Sequence, residues 1–117
     1  MGSSDGTSAS CPFLAGMLSL INQDLLAESL PVVGFVPPLL YELYAEQPDL
    51  FFDITNGSTR PCGLLCDEST PLCCKSGFDA VKGFDVASGL GTVADFQKFK
   101  DAVMQKQREK VKRWSVK

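Results

Sequence analysis

Gly6-Thr7-Ser8-Ala9-Ser10-Cys11-Pro12 opens an apolar run that reaches Leu26, and this junction decides how the rest of the chain is read. Pro12 suits the first turn of a helix, where its missing N–H would have no partner anyway. Beyond it, Phe13, Met17, Leu20 and Ile21 recur at i, i+4, i+7 and i+8. Leu14, Leu18, Ile21 and Leu25 form a second, overlapping stripe. A helix apolar on nearly all sides is a buried helix, and Gly16 within it allows a neighbouring element to pack closely. Ser8 sits just before this helix, where free backbone N–H groups and the positive end of the helix dipole point. Ser8 is therefore either an N-cap or a nucleophile whose developing oxyanion those N–H groups stabilise.

Downstream, prolines and glycines punctuate the chain. Residues 30–38 read as a loop, and the spacing of Leu39, Leu40, Leu43 and Tyr44 predicts a helix from Pro38 to about Ala45, stopped by Pro48. Phe51-Phe52-Asp53-Ile54-Thr55 reads as a short strand or extended piece. Residues 56–79 are loop-like and hold four of the five cysteines; so long an irregular segment is usually functional or cross-linked. Residues 83–92 form another tight loop. A last helix is predicted from about Val93 to Lys110 with Phe96, Phe99 and Val103 as its apolar stripe. There is no internal repeat. A buried first helix needs layers on several sides, and these elements supply too few, which points to a larger domain of which this is a part.

Composition narrows the function classes. The chain has 117 residues, 44% hydrophobic and 21% charged, enough for one small domain with a core. No apolar run reaches the ~18 residues of a membrane span, and no secretory leader is evident at the N-terminus. The net charge of −3 hides an asymmetry. Residues 106–117 carry six cations against Glu109, a net +5, which leaves −8 on residues 1–105. An acidic body disfavours nucleic-acid binding. The basic segment either touches phosphate or an acidic membrane surface, or is a solvated helix end. With no histidine in the chain, neither a Ser-His-Asp triad nor a Cys-His dyad can be completed within it.

The wider pattern resembles one family. Gly6-Thr7-Ser8-Ala9-Ser10-Cys11-Pro12 is similar to the G-T-S-A-S-x-P signature of the sedolisins, the serine-carboxyl peptidases. Leu18-Ser19-Leu20-Ile21-Asn22 resembles the stretch that comes after that signature in the family. Gly34-Phe35-Val36-Pro37-Pro38-Leu39-Leu40-Tyr41 is close to the family's G-F-x-N-P-L-L-Y stretch. Phe52-Asp53-Ile54-Thr55-Asn56-Gly57 resembles its F-x-D-I-x-x-G. Gly83-Phe84-Asp85-Val86-Ala87-Ser88-Gly89-Leu90-Gly91 resembles its G-W-D-P-V-T-G-L-G. These blocks keep the family's order across residues 6–99. The resemblance implies an α/β class, the C-terminal part of a subtilisin-like parallel-sheet fold. Mostly helices and loops fall in this portion. Residues 1–105 would be the peptidase portion and residues 106–117 a basic tail. It implies Ser8 as nucleophile, peptide or protein substrates, acidic working pH, and a secreted or lysosomal/vacuolar setting near the tripeptidyl-peptidase-like branch.

The family takes its base from a Glu supported by an Asp in an E-x-x-x-D arrangement, with a further Asp at the oxyanion site, all upstream of the serine. No E-x-x-x-D occurs here; Asp24 and Glu28 stand in reversed order after Ser8 and read as surface charges. Asp5 stands where the family usually has Ser. A serine hydroxyl without a base is a poor nucleophile, so the chain by itself is expected to hydrolyse no peptide bond, and the upstream part of the peptidase domain becomes its partner.

Asp53 and Asp85 lie in separate turning loops. Either they cap turns, or they join carbonyls around a hard cation. The resemblance implies the second: Ca²⁺ held by the Asp53 and Asp85 carboxylates and the carbonyls of Ile54, Val81 and Gly83, although the family more often has Gly at the place of Val81. Cys62, Cys66, Cys73 and Cys74 could bind zinc or form disulfides. The related branch has a similar C-x3-C followed by a third Cys, which implies disulfides, with Cys62 to Cys73 or Cys74 and Cys66 to a partner elsewhere. Cys11 stands in the family's usual Thr slot and is expected to be a buried free thiol. Asn56-Gly57-Ser58 is a glycosylation sequon. Two other readings compete: a catalytically inactive, truncated relative, and a cysteine-stapled interaction module.

Overall fold

The computed structural model describes residues 6–59 and 76–115. They belong to two compact units, one drawn from Met1–Gln47 and Asp95–Lys117, the other from Pro48–Ala94.

The first unit is helical: α1 (Thr7–Ala27), α2 (Pro37–Glu46) and α3 (Phe96–Ser115). Helix α1 begins earlier than Pro12 predicts, so the proline lies inside it. The entry is made by Gly6, whose φ of 95° turns the chain sharply into the first turn. At its other end α1 closes with a Schellman motif: Leu30 N–H donates to the Leu25 carbonyl at 2.8 Å and Ser29 N–H to that of Leu26 at 3.0 Å. That motif needs a left-handed residue, and here it is Ser29 at φ 57° rather than glycine. Helix α2 starts on Pro37 and Pro38, whose fixed φ suits a first turn. Helix α3 starts after Asp95, whose Oδ1 accepts the Lys98 N–H at 3.0 Å. It runs past Lys110 to Ser115.

Helix α3 lies against both α1 and α2. Phe99, Ile21, Leu25, Leu43 and Val103 are fully enclosed between them. Burying side chains of this size stabilises by roughly 1.5–3 kcal/mol each. Ion pairs flank this core. Lys100 meets Asp24 at 2.9 Å, and Arg108 forks onto Glu28 at 2.7–3.0 Å. Lys106 reaches Glu42 at 3.0 Å and Glu46 at 2.6 Å. Lys106 and Gln107, at the start of the segment expected to be a solvated tail, are therefore buried. Gln107 Nε2 also donates to the Val32 carbonyl at 2.9 Å, and Asn22 Oδ1 accepts the Val33 N–H at 2.9 Å, fastening the α1–α2 loop. Asp24 and Glu28 are surface groups, as expected, but each holds a cation.

Helix α1 is only partly covered, in keeping with the shortage of packing layers expected from the sequence. Only Ile21 and Leu25 are buried, while Phe13, Leu20 and Leu26 are 66%, 54% and 62% exposed. Helix α3 covers the C-terminal half of one face of α1, and among the described residues nothing comparable covers the rest.

The second unit is built from turns. A 3₁₀ turn at Pro48–Leu50 leads into β1 (Phe51–Phe52), which pairs antiparallel with β2 (Thr92–Val93) in the register Phe51↔Val93 and Phe52↔Thr92. The predicted strand over Phe51–Thr55 is thus shortened, and β2 falls where a loop and a helix start were expected. Gly91 adopts φ +91°, and a Cβ there would fall against the Phe52 carbonyl. A second pairing joins Ser58 to Asp79, with Thr59 N–H donating to the Phe78 carbonyl and Ala80 N–H to that of Gly57, both at 2.9 Å. Helices and loops dominate, as expected of an α/β protein's portion, and the sheet among the described residues is this antiparallel pair.

Candidate active site and cation loop

Ser8 occupies the second position of α1 and is exposed. It is not the N-cap: that place is taken by Gly6, and no side-chain cap bond is made. The Gly6 carbonyl accepts the Ala9 N–H at 3.1 Å and, more weakly, the Ser10 N–H at 3.5 Å. The N–H groups of Thr7 and Ser8 precede the first intrahelical bond and so remain free of the helix ladder. Pro12 has no N–H to offer the Ser8 carbonyl four residues earlier. Among the described residues no carboxylate or other base is hydrogen-bonded to Ser8. The turn thus offers a hydroxyl, small neighbours and the positive end of a helix dipole, and it lacks a proton acceptor.

Cys11 corrects an expectation. Its thiol is free but exposed rather than buried, because the described residues lay nothing over this side of the first turns of α1. Cys62, Cys66, Cys73 and Cys74 lie outside the described residues, and with them the choice between zinc and disulfides.

In the loop unit, Asp53 follows β1. Its Oδ2 accepts the Gly83 N–H at 2.8 Å, which brings the Asp53 turn against the turn that carries Asp85. Its Oδ1 is buried and has no partner among the described residues. An unpaired buried carboxylate oxygen is costly, by roughly 1–3 kcal/mol or more, so this atom is suited to a cation. Asp85, only 4% exposed, is engaged differently. Its Oδ1 accepts the Ala87 and Ser88 N–H groups, both at 2.8 Å, and its Oδ2 accepts the Ser88 hydroxyl at 2.9 Å. The Ser88 N–H, then its hydroxyl, and the Ala87 N–H hold the Asp85 carboxyl below its ordinary value, against the opposing effect of burial. Asp85 is therefore a turn cap in its own right, the reading the sequence left open beside the metal.

The residues expected around calcium meet in part. Asp53 and Gly83 are bonded to each other, Ile54 comes directly after Asp53, and Val81 is exposed on the same returning segment. No group of three acidic, cysteine or histidine side chains able to hold a metal occurs among the described residues. A cation here would rest on two carboxylates at most, supplemented by carbonyls, which suits a hard oxygen-loving ion. Sequence reasoning missed Ser88, although the Asp-x-x-Ser spacing is the signal for such a capped turn.

Comparison with known proteins then supplies a context. No family model and no solved structure matches the chain. Curated proteins do. The chain is 39% identical over 88 residues to physarolisin of Physarum polycephalum, covering 75% of this chain and 14% of that protein. It is 40% identical over 86 residues to tripeptidyl-peptidase 1 of Dictyostelium discoideum, covering 74% of this chain and 13% of the relative. With aorsin of Aspergillus oryzae the identity is 40% over 91 residues, covering 78% and 12%. Agreement at this level along three quarters of the sequence shows that the chain belongs to the sedolisin family and corresponds to a segment of those longer proteins.

Proposed function

We propose that this chain supplies the nucleophile segment of a serine-carboxyl peptidase that cleaves peptides at acidic pH, as an endopeptidase or a tripeptidyl-peptidase. The observation that carries the reading is identity near 40% to such peptidases over about three quarters of the chain. The exposed, uncapped Ser8 at the mouth of α1 supports it, since its hydroxyl is open to solvent and the Thr7 and Ser8 N–H groups are free to meet a developing oxyanion. The chain has no histidine, and the family resemblance implies a carboxylate as the base. That carboxylate and the oxyanion Asp come from the rest of the peptidase domain, within a subtilisin-like frame.

An uncovered face of α1 supports the same partner. Pro12, Phe13, Gly16, Met17, Leu20 and Phe96 line an open apolar groove of about 390 Å³. The remainder of a peptidase domain, laid over this groove, gives α1 the burial its sequence is written for.

Calcium belongs to the same proposal. The unpartnered Asp53 oxygen fits a cation; the ion would be held by Asp53, Asp85 and the carbonyls of Ile54, Val81 and Gly83. A cation held there would offset the charge of the Asp53 carboxylate and fasten the two turns. The secreted or lysosomal/vacuolar setting rests on family resemblance, and the exposed Asn56 of the sequon agrees with it.

The test is a chimera in which residues 6–99 replace the matching segment of an active sedolisin tripeptidyl-peptidase. Tripeptide release at acidic pH is expected from the chimera, falling by about 10³-fold or more in Ser8→Ala. The isolated chain is expected to show none. A folded but inactive chimera, or activity indifferent to Ser8→Ala, refutes the assignment.

A further inference from the structure

The cations of α3 divide into two sets. Lys100, Lys106 and Arg108 are spent within the helical unit, on Asp24, on Glu42 and Glu46, and on Glu28. Lys110, Lys112 and Arg113, nearer the end of the helix, make no ion pair among the described residues; Lys110 and Arg113 add to the field that lowers Glu42 without bonding to it. The acid in that stretch, Glu109, accepts a hydrogen bond from Gln105. Trp114, the chain's single tryptophan, comes next and is 81% exposed.

The pattern of the helix shows why this tip stands free. The packed face of α3 runs through Phe99, Val103, Lys106 and Gln107. Continued at intervals of three and four residues it reaches Lys110, Arg113 and Trp114, all of them exposed. Beyond Gln107 the same face is therefore left to water. Cations in a last turn do favour the negative end of the helix dipole, and that alone accounts for Lys112 and Arg113. It does not account for an indole held in water beside them.

We propose that this tip, formed by Lys110, Lys112, Arg113 and Trp114, is a docking surface for an anionic lipid bilayer. Charge complementarity carries the choice. Lys110 and Arg113 lie on one side of the helix and Lys112 on the other, so the three reach a common partner only if it is broad and negatively charged. A groove on a protein would engage one side. An indole at the end of a cationic helix is matched to the headgroup level of a bilayer, where its ring is half apolar and its N–H stays wet. Contact is peripheral; no described helix is long and apolar enough to cross a membrane. The inference is independent of the peptidase reading, since it uses none of the residues assigned there.

The experiment mixes the full chain with vesicles of phosphatidylcholine, with and without phosphatidylserine, at low salt. Sedimentation with the serine-containing vesicles is expected, with a blue shift of Trp114 fluorescence and release by added salt. Lys110→Ala, Lys112→Ala and Arg113→Ala are each expected to weaken partitioning about fivefold. Lys98→Ala, an exposed cation at the other end of α3, is expected to leave it unchanged, and circular dichroism of all four variants reports that the helices persist. Equal binding to neutral vesicles overturns the proposal. So does binding that ignores the three tip charges, or tight binding to RNA or an acidic peptide without any to the anionic vesicles.

Discussion

The two units of this chain are held by different forces. The helical unit is a packed core of leucine, isoleucine, valine and phenylalanine side chains, flanked by ion pairs between helices. Among the described residues, the loop unit has few buried apolar side chains. It is shaped by glycine turns, a two-residue strand pair and carboxylates that accept backbone N–H groups. A core tolerates exchange of one apolar side chain for another of similar volume. A turn held by hydrogen bonds and positive φ tolerates almost no change at the residues that make it. The expected nucleophile lies in the first kind of structure and the expected cation ligands in the second, so each site inherits a different weakness.

The largest expected effect is in the loop unit. Gly91→Ala places a methyl group against the Phe52 carbonyl at a φ only glycine adopts easily. A loss of about 3 kcal/mol is expected. Hydrogen exchange should rise at Phe51–Phe52 and Thr92–Val93 and stay unchanged in the middle of α3; an equal rise in α3 breaks the distinction between the units.

Calcium probes the same unit from the other direction. At a calcium concentration about a hundredfold above Kd, a gain of about 2.7 kcal/mol is expected by mass action. Asp53→Asn should abolish that gain while leaving the calcium-free protein no less stable, because it removes a buried unpaired charge. Thermal unfolding with calcium and with a chelator reads both, and no shift with calcium removes the ion from the account.

Acid separates the units by order. The Glu28 carboxyl is held below its ordinary 4.5 by its hydrogen bonds to Arg108, and that of Glu42 by its bond to Lys106. Groups lowered on folding stabilise fully above their unfolded value and lose that contribution as pH falls through the folded one. The helical unit should therefore begin to loosen below pH 4.5, and the Asp85 turn only below that group's ordinary 3.8. Amide shifts of Ser88 and of residues in α3, followed on acidification, check the sequence of events. Simultaneous loss would mean that the ion pairs do not set the acid limit of the helices.

The smallest effect sharpens the helical side. Ser29→Gly relieves the left-handed strain at the end of α1 and should stabilise by about 0.5–1 kcal/mol, measured by urea unfolding. A loss would mean that the Schellman turn draws on the serine side chain itself.

Much of this was legible in the residues. The apolar spacing of Ile21 and Leu25, of Leu39 and Leu43, and of Phe99 and Val103 located the three helices and an apolar face on each. The Gly6–Pro12 motif placed Ser8 at a helix mouth. Pro12 misled, because proline is also tolerated where the carbonyl four residues earlier needs no partner, and small residues ahead of it extended the helix to Thr7. Lys106 was hidden because a lysine among other cations reads as solvated until two glutamates from another helix are known to meet it. Asp85 carried two meanings, turn cap and cation ligand; spacing alone could not choose, and the Ser88 bonds establish the first without removing the second.

The ion pairs that tie α3 down have one more consequence, for the order in which the molecule assembles. Asp24–Lys100 and Glu28–Arg108 close spans of 76 and 80 residues. The turns of the loop unit join partners much nearer in the chain, and nearby contacts form first. As the polypeptide is made, the glycine-rich turns can settle before α3 exists to bring Lys100 and Arg108 to Asp24 and Glu28.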